Sequence, residues 1–95
     1  MDCKRVKYTG HALRRMFERG ITSDDLSQLL LRGEVIEDYP TDQPCPSCLL
    51  LAQAGGRPLH AVVARDPHTG VCSIVTVYEP DPQLWTPDYR TRRTP

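Results

Sequence analysis

Two histidines, a tyrosine and a set of arginines carry the acid–base and cationic chemistry of this sequence. His60 stands mid-way along Arg57-Pro58-Leu59-His60-Ala61-Val62-Val63-Ala64-Arg65, whose alternation reads as an interior strand. Leu59, Ala61 and Val63 then share one sheet face, and His60, Val62 and Ala64 share the other. Imidazole and phenol groups can take or give a proton, and guanidinium groups can hold the charge of a phosphate. His60, His11 and Tyr78 are the candidates for proton transfer. Arg15, Arg19, Arg57, Arg92 and Arg93, with Arg90 beside them, are the candidates for the phosphate. His11 falls at a helix start, where backbone N–H groups favour anions. In the alternative, His60 is a hydrogen-bonded sheet histidine and His11 merely opens a helix.

The cysteines suggest a second chemistry. Cys45-Pro46-Ser47-Cys48 is a C-x2-C pair, and after nineteen residues His68 and Cys72 follow with three residues between them. The spacing is close to that of structural zinc ligands. Only one C-x2-C is present, however, and Cys48 and Cys72 also suit buried strand positions. No metal or other cofactor is therefore favoured, and zinc on Cys45, Cys48, His68 and Cys72 is the alternative. A Cys45–Cys48 disulfide is disfavoured in a cytosolic chain.

The elements that must position these residues are marked by local signals. Thr9 is a natural N-cap for a helix from Gly10 to Arg19, with Ala12, Leu13, Met16 and Phe17 as its apolar stripe and Gly20 as its stop. Thr22-Ser23-Asp24-Asp25 opens a second helix that runs to about Arg32, buries Leu26, Leu29 and Leu30, and stops at Gly33. Residues 34–39, 47–53, 59–65 and 71–78 read as strands, with Gly55-Gly56 and the segment Asp66 to Gly70 as turns. Val6 to Thr9 is a short lead-in. Pro80, Pro82 and Pro87 preclude regular structure in a tail that Trp85 anchors. The expected fold is α+β, two helices packed on one face of a roughly four-stranded antiparallel sheet, in a single domain. The helical part covers about 9–32, the sheet about 34–79 and the tail 80–95. Leu59, Ala61, Val63, Val75 and Val77 are assigned to the helix side. His60, Val62, Ala64, Cys72, Ile74, Thr76 and Tyr78 are assigned to the open side, a concave platform for a ligand or partner. Tyr39, Trp85 and Tyr89 have the chemistry to stack on bases, but plugs over a sheet edge are the favoured reading. Strands 34–39 and 71–78 are candidate edges for a homodimer.

Formal charge is zero overall but segregated along the chain. Residues 1–33 carry seven basic and four acidic side chains, residues 34–88 two basic and eight acidic, and the last seven residues three arginines and no acid. If both ends meet in space, a neutral protein presents a basic patch for phosphates; otherwise these charges only solvate helix faces and a tail. No apolar run approaches a membrane span, and no apolar segment follows the N-terminal Met1-Asp2-Cys3-Lys4-Arg5. A cytoplasmic protein without membrane contact is expected.

Several of these segments together resemble a known family. They are His11-Ala12, Arg19-Gly20-Ile21, Glu34-Val35-Ile36-Glu37-Asp38-Tyr39-Pro40, Gly56-Arg57-Pro58-Leu59-His60-Ala61-Val62-Val63, Thr76-Val77-Tyr78-Glu79-Pro80, Trp85 and Arg92-Arg93. In this order they resemble the prokaryotic domain-of-unknown-function family numbered 4258, which is distantly similar to RelE-type and BrnT-type toxins. That resemblance implies a toxin-like fold, RNA as a substrate or partner, ribonuclease activity, and a cognate antitoxin of zinc-ribbon type. By fold alone, such an activity is analogy. The reading from a different class is a non-catalytic interaction module covered by a partner or by a second copy.

Overall fold

A computed structural model describes residues 1–94. Strand β1 (Arg5–Tyr8) leads into helices α1 (Gly10–Arg19) and α2 (Ser23–Arg32), followed by strands β2 (Glu34–Tyr39), β3 (Ser47–Ala54), β4 (Arg57–Arg65) and β5 (Val71–Tyr78). The helix ends follow the local chemistry. Thr9 Oγ1 accepts from the Ala12 N–H at 3.0 Å, and Gly20 takes the left-handed conformation at φ 62°. Thr22 and Asp25 form a reciprocal capping box, at 3.1 and 3.0 Å.

The sheet is five-stranded and mixed, in the order β1-β5-β4-β3-β2. The antiparallel meander β2 to β5 is as expected. The fifth strand is not: β1 runs parallel to β5, pairing Arg5 with Val71 and Tyr8 with Ile74. Four residues are too few for periodicity to declare a strand. What holds this segment is distant in sequence: the Lys4 N–H donates to Gly70 O at 2.9 Å, and Cys3 and Cys72 form a disulfide. The first half of β5 is consequently interior rather than an edge, and the sheet's edges are β1 and β2.

Both helices cover one face. Ala12, Ile21, Leu26, Leu29 and Leu30 pack against Leu50, Leu59, Ala61, Val63 and Val77. Two expectations about facing are corrected. A register shift beside Val62 and Val63 inserts Val75 as an extra residue in β5, since Val62 pairs with Thr76 and Val63 with Ile74. Cys72 and Ile74 therefore enter the helix-side core, and Val75 leaves it. In α1 the buried stripe is narrower than expected. Ala12 and Met16 face the core, whereas Leu13 and Phe17 are 53% and 90% exposed. A ten-residue helix lying over β5 alone offers one narrow ridge to the sheet, and residues one position on are turned about 100° away.

Candidate functional site

The open sheet face divides into a covered half and a bare half. In the covered half, His60 pairs across the ladder with Tyr78 on one side and Leu51 on the other. The tail folds over it, closed by a bridge between Trp85 and Arg92 and by Thr86 N–H donating to Thr91 O at 2.8 Å. Trp85 sets its ring perpendicular to the imidazole at a centroid distance of 4.5 Å, and His60 is 0% exposed. His60 Nε2 lies 2.9 Å from Tyr89 O. A carbonyl only accepts, so Nε2 carries the proton and Nδ1 accepts from Tyr78 Oη at 3.2 Å. Burial pushes the imidazole pKa below its usual value, against the smaller opposite effect of the Tyr89 carbonyl, and burial pushes the Tyr78 phenol up. Both groups are held neutral. The assignment of His60 and Tyr78 to the face away from the helices holds, but neither His60 nitrogen is open to a substrate in this conformation.

The other sequence candidates do not converge on this pair. His11 is exposed, and its Nε2 meets Thr76 Oγ1 at 2.9 Å, two residues along β5 from Tyr78. Arg15 lies on α1, 3.9 Å from Glu18, and Arg19 is in the last turn of that helix. Arg57 ties the helix junction to the end of β5, donating to Gly20 O at 3.0 Å and lying 3.6 Å from Glu79. Arg90 forms a two-pronged pair with Glu34 at 2.7 and 3.1 Å, which holds the Glu34 carboxyl below the usual carboxylate range. Arg92 lies over Trp85 at 5.7 Å, and Arg93 donates to Pro82 O at 3.0 Å. The helix arginines and the tail arginines thus occupy opposite faces of the sheet.

The zinc set is not assembled either. Cys72 is bonded to Cys3 and buried on the helix side, Cys48 is buried on that side too, and Cys45 faces the open side. Among the described residues no three His, Cys, Asp or Glu side chains are grouped to hold a metal ion. The Cys3–Cys72 pairing was not foreseen. Its signal lies in the pattern Cys3, Val6, Tyr8, whose members pack on the core while Arg5 and Lys7 point away.

The bare half of the open face is a cleft of about 680 Å³. Its floor is Val62 and Ala64 of β4 with Val71, Ser73 and Val75 of β5. Arg5 and Lys7 of β1 form one wall, and Asp42 to Cys45 of the β2–β3 loop with Ser47 at the start of β3 form the other. Sequence reading missed it because β1 and the Val75 insertion create it.

A family model, Domain of unknown function (DUF4258), matches residues 8–79. The chain belongs to this family. The DUF4258 match runs from the end of β1 through β5 and stops one residue past Tyr78, so His60 and Tyr78 lie inside it and Trp85 and Tyr89 lie beyond it. No curated protein and no solved structure matches the chain. Membership therefore brings a fold-sized unit without an activity attached. No helix is long and apolar enough to cross a membrane, among the described residues.

Proposed function

We propose that this protein is a non-catalytic interaction module whose partner docks on the outer face of α1. The observation that carries the reading is Phe17. It is the only phenylalanine of the chain, and it stands 90% exposed, one helical turn from the half-exposed Leu13. Side chains four residues apart on a helix are neighbours, so the two form one apolar ridge. Arg14, three residues before Phe17, borders it. An apolar ridge with an arginine beside it fits a polypeptide segment that carries both apolar and acidic residues. The family resemblance supplies a candidate, a cognate antitoxin of zinc-ribbon type encoded beside this chain. The test is co-expression with the neighbouring gene's product. Wild type is expected to co-purify with it, and Phe17→Ala to bind it at least about tenfold more weakly, since burying a Phe contributes about 1.5–3 kcal/mol. Folding should be unaffected, because Phe17 has almost no contacts to lose. Undiminished binding by the Phe17 variant ends this reading.

A second reading, a metal-independent ribonuclease of the RelE or BrnT type, is favoured by the direct contact of His60 with Tyr78 within the family-matched segment. In it His60, Tyr78 and His11 move protons, and some of Arg15, Arg19, Arg57, Arg92 and Arg93 meet the phosphate. It requires the tail to leave His60. An RNA-cleavage assay comparing wild type with His60→Ala tests it; equal activity in both, or none in either, removes it.

A further inference from the structure

We propose that the cleft between β1 and the β2–β3 loop is a binding site for a small amphipathic anion, with a carboxylate or phosphate head on Lys7 and Arg5 and an apolar body on Val62, Val71 and Val75. The site is separate from the α1 surface, which lies on the opposite face of the sheet. Three features converge on it.

The first is shape. A volume of about 680 Å³ falls within the range that small-molecule clefts occupy, roughly 300–1,000 Å³. The second is the floor. Val62, Val71 and Val75 present aliphatic surface to it where an uncovered sheet face would ordinarily be polar, with Ser73 between the last two. Val75 is there because of the inserted residue in β5, which places it on the open side next to Thr76.

The third is charge. Arg5 and Lys7 line the cleft, and among the described residues neither has a carboxylate within ion-pair distance. The two carboxylates lining the same cleft are already engaged. Asp42 accepts from Ser47 Oγ. Asp66 accepts from the His68 N–H at 2.8 Å, and backbone N–H groups of its turn hold its carboxyl below the usual carboxylate range. Neutral donors leave both carboxylates charged, so the lining is balanced overall, but the positive charge is concentrated on β1, where neither cation is ion-paired. From β1 to β3 is three strand spacings, about 14 Å, so an extended apolar body anchored at Lys7 lies across β5 and β4. A nucleotide fits less well, since the floor offers neither an aromatic ring to stack on nor a row of base-reading amides.

The experiment is calorimetric titration of the full chain with decanoate, decyl phosphate, decan-1-ol and uridine monophosphate, below any micelle concentration. Decanoate or decyl phosphate is expected to bind one per chain, and the tighter of the two identifies the head group. Decan-1-ol should bind at least about tenfold more weakly, and Lys7→Met and Arg5→Met should each weaken the anion by about 5–10-fold, as expected for a charge-assisted contact of roughly 1–1.4 kcal/mol. Val75→Glu should abolish binding. Both cation positions are exposed, so the Met variants should unfold at the wild-type midpoint, which a parallel urea titration checks. Any of the following overturns the proposal: no binding of either decyl anion to wild type, equal binding of decan-1-ol, affinity unchanged in both Met variants, or uridine monophosphate binding more tightly than both decyl anions.

Discussion

His60 is the residue at which burial and chemistry oppose each other most directly. Its ring is sealed by Trp85, donates to Tyr89 and accepts from Tyr78, and no buried polar side-chain atom is left without a partner among the described residues. The folded state holds the imidazole neutral by depressing its pKa below 6.5, so on acidification the unfolded chain takes up the proton first. Stability contributed by the neutral ring is complete above pH 6.5 and is lost as the pH falls from there toward the depressed folded value. Urea unfolding at pH 7.5 and pH 5.5 should show wild type weaker at the lower pH, and His60→Gln should lose most of that difference. The variant should also be less stable at pH 7.5 by about 1–3 kcal/mol, because Tyr78 Oη loses its acceptor. A wild-type stability that is flat between these values contradicts the buried neutral ring.

At the scale of elements, the helix caps and hairpin turns are joined into one unit. Gly55 opens the β3–β4 turn at φ 63°, and a Cβ there would stand 2.8 Å from Asp25 Oδ1, the carboxylate of the α2 capping box. The turn thus rests on the start of the helix, and two locally legible signals prove to be in contact. Gly55→Ala meets both a left-handed backbone and a displaced cap, and should destabilise the protein by about 2–3 kcal/mol. Gly56, also at positive φ but with open space around its Cβ position, should tolerate alanine better. Chemical denaturation of the two variants side by side checks the order; equal losses would mean that the Asp25 contact is immaterial. The α1 ridge belongs to this scale as well. Four apolar residues satisfy a helical stripe, yet only Ala12 and Met16 meet the sheet, because the width of the buried stripe depends on how many strands lie under the helix.

Across the whole molecule, two long-range ties set the outline. The Cys3–Cys72 bond, 69 residues apart in sequence, fastens β1 to β5, and the Arg90–Glu34 pair, 56 residues apart, fastens the tail to β2. The first is buried at Cys72 and the second is solvent-exposed, so the first should matter far more. Cys3→Ser should cost about 2–4 kcal/mol and loosen β1. Arg90→Ala should cost under about 1 kcal/mol. Thiol titration of denatured, unreduced protein should find two thiols, Cys45 and Cys48. Four thiols would show the bond absent. A structural disulfide persists mainly in oxidising compartments, so the same count bears on the expectation of a cytoplasmic location.

Local chemistry was enough for both helices with their caps, the hairpin glycines and the four-strand meander. Each of these depends on residues a few positions apart: Thr9 with Ala12, Thr22 with Asp25, and Gly55 with Gly56. The alternation of β4 was likewise sufficient to turn His60 away from the helices. Trp85 was legible as the anchor of the tail, but that it and Tyr89 cover His60 rather than a sheet edge was not, because they reach it across more than twenty residues of chain with no periodic mark. Nor was the facing of Cys72, Ile74 and Val75, since one inserted residue reverses the alternation of a strand beyond it. The partner of Cys3, the fifth strand and the cleft that this strand walls arise only when distant segments meet. Their stabilisation comes from contacts whose loop-closure cost no short stretch of sequence reveals.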